Sequence, residues 1–302
     1  MVHLMKWVAL VVAPICGIGC NSSPQPLMGI ESVRTSVRIH SPETGERVSW
    51  VEFVEHADRT DVVVLGEWHD DHVAHLVQRA LLEDLVERSS DVMLAMEMLE
   101  RDEQPVLDDY CDGLIDGETF AKETQSSSWA GEGSWESWYL PIIDVVNEGG
   151  GTVVAANAPR RYVRVARTEG WERLESLPDE RRRFVEWPDP PLDGEYKKRF
   201  VELMGEHSDE LDEEFKESYF RAQTTWDATM AGTISNRHVP GGTTVLLVGQ
   251  FHSNFNGGTV EMINRYMPDA SVLVVTLRRD QDDPPDDPPP ADLVVETWVE
   301  PR

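Results

Sequence analysis

Two short segments of the chain share one pattern, in which an apolar run is followed by Gly, two further residues and His. They are Gly66–His69 and Gly249–His252. In α/β proteins the carboxyl ends of the sheet strands line the ligand crevice, and a glycine there lets the backbone turn tightly and approach a ligand. We therefore predict that His69 and His252 come to one edge of a sheet.

Further polar side chains follow other apolar runs, and their types restrict the chemistry. Glu97 ends one run, and Asn157 and Arg160 follow another. Imidazoles with carboxylates are ligands for Zn, Mn or Fe, and the same groups serve as a base and its orienting partner. We predict a metal set of His69, His252 and Glu97. Arg160 can pair bidentately with a carboxylate, such as a haem propionate or a substrate acid.

The apolar runs also predict the sheet that must position these groups. They are Val-rich and nearly continuous, as expected for strands covered on both faces. The five runs are Val62–Leu65, Val92–Met96, Thr152–Ala156, Val245–Val248 and Val272–Leu277. Between the first two runs, apolar residues recur at helical spacing from Asp70 to Arg88. Asp70 or Asp71 is predicted to cap that helix.

This alternation of strand and helix signals predicts an α/β fold with a central mixed, largely parallel sheet flanked by helices. Helical insertions at about residues 99–145 and 160–240 are predicted to form a cap inserted between core strands. A Pro/Asp-rich loop over residues 280–290 precedes a last apolar run, Leu293 to Val299, which we predict to be an edge strand. A single domain over residues 36–302 contains all of these elements.

The N-terminus predicts export. One lysine precedes an apolar run from Trp7 to Ile15 that is too short for a permanent membrane span but suits a signal peptide. Gly17–Cys20 resembles a bacterial lipobox, so residues 1–19 are predicted to be a lipoprotein signal peptide. A plain secretory signal or an uncleaved anchor is the alternative.

Lipid attachment at Cys20 would tie the protein to a membrane, with residues 20–35 as anchor and tether. Asn21 favours the outer membrane, so we expect a lipid-anchored protein of the bacterial cell envelope, with its domain in the periplasm or at the surface. The formal charge of −29 disfavours nucleic acid as a partner. The sequence has no H-E-x-x-H, P-loop, G-x-S-x-G or Rossmann fingerprint, which argues against those mechanisms.

Five segments together resemble the ChaN-like haem-binding uptake lipoproteins of the Tiki superfamily. The segments are LGEWHDDHVAHLVQ, AMEML, SWYLPIID followed by VVAANAPR, AQTTWDATMA, and LLVGQFHSNFNGG. In order and spacing they cover most of Val62 to Leu277. The resemblance implies an α/β fold with a helical layer, haem binding in haem or iron uptake, and haems held between two subunits, hence a homodimer.

The resemblance also implies a set of ligand-binding residues. The core would be Glu67, His69, Glu97 and His252, surrounded by His75, Arg160, Gln223 and Asp227, with Asn157 at a further strand end. Haem iron needs an axial Tyr or His, and Tyr139, Tyr162 and the histidines are the candidates. The absence of a C-x-x-C-H pattern excludes covalent c-type attachment.

An alternative function uses the same residues. The wider superfamily includes Tiki proteases and erythromycin-esterase-like enzymes, which resemble this chain in the Glu/His constellation. That resemblance implies a metal-dependent or acid–base hydrolase with Glu67, His69, Glu97 and His252 as catalytic residues, and a divalent metal such as Zn, Mn or Fe in place of haem. A haem-binding protein is the favoured interpretation.

Overall fold

The computed structural model of the chain describes residues 29–127, 129–205, 211–279 and 290–297. Within these ranges the strands are β1 Arg38–His40, β2 Arg47–Val48, β3 Val62–Glu67, β4 Val92–Glu100, β5 Thr152–Asn157, β6 Thr243–Gly249, β7 Val272–Arg278 and β8 Leu293–Glu296. They form one eight-stranded sheet in the order β2-β1-β8-β7-β3-β6-β4-β5. The signal peptide, Cys20, most of the tether and residues 280–289 of the Pro/Asp loop lie outside the described residues.

Twelve α-helices accompany the sheet in the described part of the chain. They are α1 Ile30–Ser36, α2 Trp50–Asp58, α3 His72–Val86, α4 Gln104–Cys111, α5 Gly117–Glu123, α6 Leu140–Glu148, α7 Arg160–Glu169, α8 Trp171–Glu175, α9 Asp179–Arg182, α10 Glu195–Leu203, α11 Glu213–Arg237 and α12 Gly258–Tyr266. A π-helical turn, Trp135–Tyr139, leads into α6. None of the helices in these ranges has the length and apolar character that crossing a bilayer requires.

The five central strands, from β7 to β5, are parallel, which confirms the predicted α/β class. Strand β6 lies between β3 and β4, so these two strands, which are consecutive in sequence, are not neighbours in the sheet. The register pairs Leu65 with Leu247 and Glu67 with Gly249. The two Gly-x-x-His segments therefore leave the sheet side by side.

Each face of the sheet packs against its own helical layer. Val63 and Leu65 lie in one core with residues of α3 and α6. Val62 and Val64 point to the other core, which holds Ile234 of α11 and residues of α12. Because both faces are covered, the strands read as continuous apolar runs. Helices α7 and α8 pack outside α11 as an additional layer.

The side chain of Asp71 caps the N-terminus of helix α3. The Asp71 carboxylate accepts hydrogen bonds from the backbone N–H groups of Val73 and Ala74, at 3.0 and 3.2 Å. It also accepts a hydrogen bond from the Thr297 hydroxyl, which joins α3 to the end of β8. The helix predicted between Asp70 and Arg88 is confirmed, with Asp71 as its N-cap.

The last strand differs from the prediction. Strand β8 is an inner strand, since it pairs in parallel with β7 on one side and antiparallel with β1 on the other. Strand β2 then forms the edge. The outer strands contain three and two residues, too few to show an alternating pattern in the sequence.

The folded domain also begins earlier than residue 36, because α1 lies within the segment predicted to be a tether. Val33 of this helix is fully buried. The Arg34 guanidinium binds the Asp84 carboxylate of α3 through Nε and Nη2, at 3.1 and 2.8 Å. The same carboxylate accepts a hydrogen bond from the Trp50 indole N–H at 2.6 Å. A single buried valine in a polar segment gives no periodic signal, so these contacts were not predictable from spacing.

We expect Asp84→Ala to lower the free energy of unfolding by about 2 kcal/mol, because two partly buried donors, those of Arg34 and Trp50, lose their acceptor. Urea unfolding of the purified domain measures this. The matched control is Glu31→Ala, which removes an exposed carboxylate from the same arginine and is expected to change stability by less than about 0.5 kcal/mol. Equal effects of the two substitutions would contradict the docking of α1 on α3.

Candidate functional site

The carboxyl ends of β3, β6 and β4 bring Glu67, Gly249 and Glu97 together. Glu67 lies opposite Gly249 in the sheet register. The Gly249 backbone N–H donates to Glu97 Oε2 at 2.6 Å. His69 and His252 follow β3 and β6 within three residues of the strand ends. The structure thus assembles the four residues of the predicted core at one edge.

The glycines of the two Gly-x-x-His segments make room for each other's loops. A Cβ on Gly66 would lie 2.4 Å from Ser253 Oγ and 3.1 Å from Gln250 Cα, in the loop that follows β6. A Cβ on Gly249 would lie 3.1 Å from His69 Nε2, in the loop that follows β3. Close approach of the loop after β6 therefore explains Gly66, and the His69 imidazole leaves little space for a side chain at Gly249.

One half of the site is a buried carboxylate that holds His69. Glu67 is 1% exposed. Its Oε1 accepts hydrogen bonds from His69 Nδ1 at 2.8 Å and from the Tyr139 hydroxyl at 2.7 Å. Its Oε2 accepts a hydrogen bond from the Gln78 amide. Gln78 was not predicted, although it follows His75 by three residues on the same face of α3.

Electrostatics keep this pair ionised. Burial by itself raises the pKa of Glu67, but the charge of His75 and the hydrogen bonds from His69 and Gln78 lower it to about 2. Burial lowers the pKa of His69, but the hydrogen bond to Glu67 and the charge of Glu97 raise it to about 9. At neutral pH the pair is a carboxylate with an imidazolium.

The other half of the site is a second histidine–carboxylate pair. His252 Nδ1 donates to Asp227 Oδ1 at 2.7 Å. Asp227 also accepts hydrogen bonds from the Thr259 hydroxyl at 2.8 Å and the Tyr196 hydroxyl at 2.7 Å. The Gln223 amide nitrogen lies 3.2 Å from both ring nitrogens of His252. Tyr196 and Thr259 carry no motif, and only the folded chain brings them to Asp227.

Glu97 connects the two halves. Its Oε1 lies 3.6 Å from His252 Nε2, and its Oε2 binds the backbone at the end of β6. Burial lowers the pKa of His252, but the charges of Asp227 and Glu97 outweigh this and raise it. Both histidines therefore lie against carboxylates that favour their protonated forms.

Several predicted ligand-binding residues make their contacts within the protein. The amide of Asn157 donates to the Glu97 carbonyl at 2.8 Å. Tyr139 is fully buried, and burial together with Glu67 raises its pKa well above the ordinary value, so it is a neutral donor to Glu67. Tyr162 is buried in the packing of α7, and His75 is 2% exposed beneath His69. Burial thus withdraws these rings from direct contact with an outside ligand.

The predicted metal set is not preformed. Among the described residues, no group of three or more His, Cys, Asp or Glu side chains converges to hold a metal ion. One oxygen of Glu97 is engaged by the Gly249 N–H, and Nδ1 of His252 is engaged by Asp227. Two cavities of about 480 and 380 Å³ lie elsewhere, and no residue of the site lines them.

Comparisons with known proteins agree with this arrangement of elements. Residues 53–263 match the family described as haem-binding uptake, Tiki superfamily, ChaN. The chain belongs to this family. The resemblance to this family is thereby confirmed, and the segments that carry the resemblance all lie within the matched residues.

One solved structure shows the same fold, and a second is more distantly similar. ChaN of Campylobacter jejuni, described with cofacial haem binding, is 20% identical over 86% of this chain and 96% of that one, with a TM-score of 0.65. An erythromycin esterase variant in its open conformation is 12% identical over 86% of this chain and 83% of that one, with a TM-score of 0.43. No curated protein matches the chain.

The surroundings of His69 fit the flat, iron-containing ligand that the ChaN family implies. The His69 side chain is 36% exposed, and its Nδ1 is held by Glu67, which leaves Nε2 as the nitrogen for coordination. The Trp129 ring lies edge-on to His69 at 5.8 Å, and within the described residues its buried indole N–H has no hydrogen-bond partner. The Arg160 guanidinium lies 5.3 Å over the same indole and suits a carboxylate.

A second pair of an aromatic ring and a cation includes Trp68, the residue before His69. Trp68 is 43% exposed, and the Arg279 guanidinium lies 5.4 Å from its ring centre. Arg279 also forms an ion pair with Asp70 at 2.8 Å. One exposed indole, one partly buried indole and two guanidiniums lie around the half-exposed His69, and these are the groups that a porphyrin with propionates would contact.

The Glu67–His69 pair predicts a pH dependence of stability. Because folding raises the pKa of His69 from 6.5 to about 9, the pair's contribution is complete below pH 6.5 and is lost as the pH rises to about 9. The stability difference between wild type and His69→Ala should therefore shrink by about 1 kcal/mol or less between about pH 6 and pH 10, since solvent screens the half-exposed ring. Glu67 stays ionised across this range.

Urea unfolding at the two pH values measures this change. The matched control is His56→Ala, on an exposed position of α2, for which we expect the same stability difference at both pH values. A His69→Ala difference that grows with pH would contradict the ionised pair.

Proposed function

We propose that this chain is a lipid-anchored haem-binding protein of the bacterial cell envelope that takes part in haem or iron uptake. One observation carries the proposal. A half-exposed His69, in a chain of the haem-binding uptake family, has Nδ1 fixed by a buried carboxylate and Nε2 free of that carboxylate. A hydrogen bond from the ring nitrogen that does not coordinate orients a metal-binding histidine and raises the basicity of the other nitrogen.

Different residues of this chain would bind different parts of the haem. Haem would supply an iron that accepts a histidine nitrogen. His69 would offer Nε2 after this nitrogen has released the proton that it carries in the imidazolium, and Glu67 would hold the proton of Nδ1. Trp129 would offer an aromatic face, and Arg160 would exchange its ion pair with Glu100, at 3.0 Å, for a propionate.

Anchoring and assembly belong to the same proposal. Lipid on Cys20 would hold the domain at the outer membrane, in the periplasm or at the surface. Trp68 and Trp129 offer aromatic surface on which a second copy can cover the ligand, as a homodimer. The cofacial haem binding described for the Campylobacter jejuni protein supports haem as the ligand.

Titration with haem tests the proposal. We expect micromolar haem to give a Soret band with the wild-type protein, and His69→Ala to weaken binding by at least about tenfold, which corresponds to about 1.4 kcal/mol. His56→Ala is the control and should bind as wild type does. No haem uptake by the wild type would refute the function, and full binding by His69→Ala would refute the axial assignment.

A second candidate function rests on the His252 half of the site. Haem ligation by His69 leaves the buried Asp227–His252 pair, with Glu97 3.6 Å from His252 Nε2, without a role. A histidine oriented by one carboxylate and facing another is suited to acid–base catalysis. The candidate is a hydrolase of peptides or esters that uses Glu67, His69, Glu97 and His252, alone or with Zn, Mn or Fe.

This second function predicts that Asp227→Asn abolishes hydrolysis, because the amide no longer favours the protonated His252. A panel of ester and peptide substrates, with elemental analysis of the purified protein, measures it. We expect a loss of about a hundredfold or more. The control, Asp269→Asn on the exposed surface after α12, should keep the activity. A wild-type protein inactive on the whole panel would contradict the candidate.

A further inference from the structure

His75 is a buried ring whose surroundings leave it little freedom. It is 2% exposed. Its imidazole stacks on Trp138 with ring centres 4.9 Å apart and planes 18° apart. The Tyr139 ring meets it edge-on at 4.7 Å. The π-helical turn before α6 supplies both aromatic residues and therefore fixes the plane of the imidazole.

The hydrogen-bond partners of His75 determine where its protons lie. Nε2 lies 3.0 Å from the main-chain oxygen of His69, which can only accept, so Nε2 carries a proton. Nδ1 lies 3.0 Å from the side-chain oxygen of Gln78. The Gln78 amide nitrogen donates to Glu67, and reversing the amide would set its oxygen against a carboxylate. Nδ1 therefore faces the oxygen of the Gln78 amide.

The surroundings of His75 also connect it to Glu67. Glu67 Oε2 lies 3.6 Å from His75 Nδ1. His75 thus binds the Glu67–His69 pair in two ways. It holds the main-chain carbonyl of His69 directly, and it reaches the Glu67 carboxylate through Gln78.

We propose that His75 is a positioning residue for His69. Its two ring nitrogens hold both ends of the His69 residue, the backbone directly and Nδ1 through Gln78 and Glu67, so that the imidazole keeps one orientation with Nε2 directed to a ligand. The role of a ligand rests on the proposed haem binding. The positioning itself concerns the free protein and is testable without haem.

Two substitutions separate positioning from packing. His75→Phe keeps a flat ring against Trp138 and Tyr139 but removes both ring nitrogens. His75→Gln keeps amide donors within reach of the His69 carbonyl. For haem-loaded protein we expect His75→Phe to weaken binding by about tenfold and to change the Soret and spin-state spectrum, with partial recovery in His75→Gln. A packing role alone would leave the spectrum of His75→Phe as in the wild type.

Nitrogen NMR of histidine-labelled protein without haem gives the decisive measurement. We expect the His69 resonances to shift or broaden in His75→Phe and to recover in part in His75→Gln. A folded His75→Phe with unchanged His69 resonances would overturn the proposal. If His75→Phe does not fold, the wild-type spectrum still decides, because the hydrogen bond to the His69 carbonyl requires a His75 Nε2 proton that is protected from exchange, and the absence of this proton would overturn the proposal. Wild-type protein that fails to bind haem would refute the proposed function, and the NMR result would stand separately.

Discussion

The carboxylate of Glu67 is the group on which the site depends. Taking a carboxylate out of water costs several kcal/mol unless charges and donors surround it. Here β3 delivers the carboxylate, α3 supplies Gln78 and His75, and the turn before α6 supplies Tyr139. These elements must meet at one point for the charge to be tolerated. His69 then donates from Nδ1 to Oε1 of the same carboxylate, which gives the half-exposed histidine a fixed orientation.

The two halves of the site are alike in sequence and different in exposure. Both follow a parallel strand through Gly-x-x-His, and each glycine leaves space for the neighbouring loop. His69 is half-exposed beside tryptophan and arginine side chains, whereas His252 is buried under Asp227, Gln223 and Thr259. The exposed half suits the binding of a large flat ligand. The buried half shares Glu97 with it and so fixes the end of β6 against β4.

Most of the sheet could be predicted because burial on both faces leaves a signal in the sequence. The five Val-rich runs became β3 to β7, and Asp71 caps α3 as its side-chain chemistry requires. The outermost strands, β1 and β2, are too short to show any pattern. Helix α1 is held by one buried valine and by Arg34. Its segment therefore shows no periodic spacing of apolar residues, and we predicted it to be part of the tether. The inner position of β8 follows from pairing with β1, a contact between residues more than two hundred positions apart.

The sequence by itself determined which groups reach the sheet edge, since Glu67, His69, Glu97 and His252 all follow predicted strands. Only the tertiary structure decided their roles, because a role depends on which partner lies within hydrogen-bond distance. Strand β6, placed between β3 and β4, brings His252 next to Glu97, with His252 Nε2 3.6 Å from Glu97 Oε1. Tyr139, an axial candidate by residue type, is buried as a donor to Glu67. Burial and hydrogen-bond direction arise from contacts across the fold, and a pattern along the chain does not contain them.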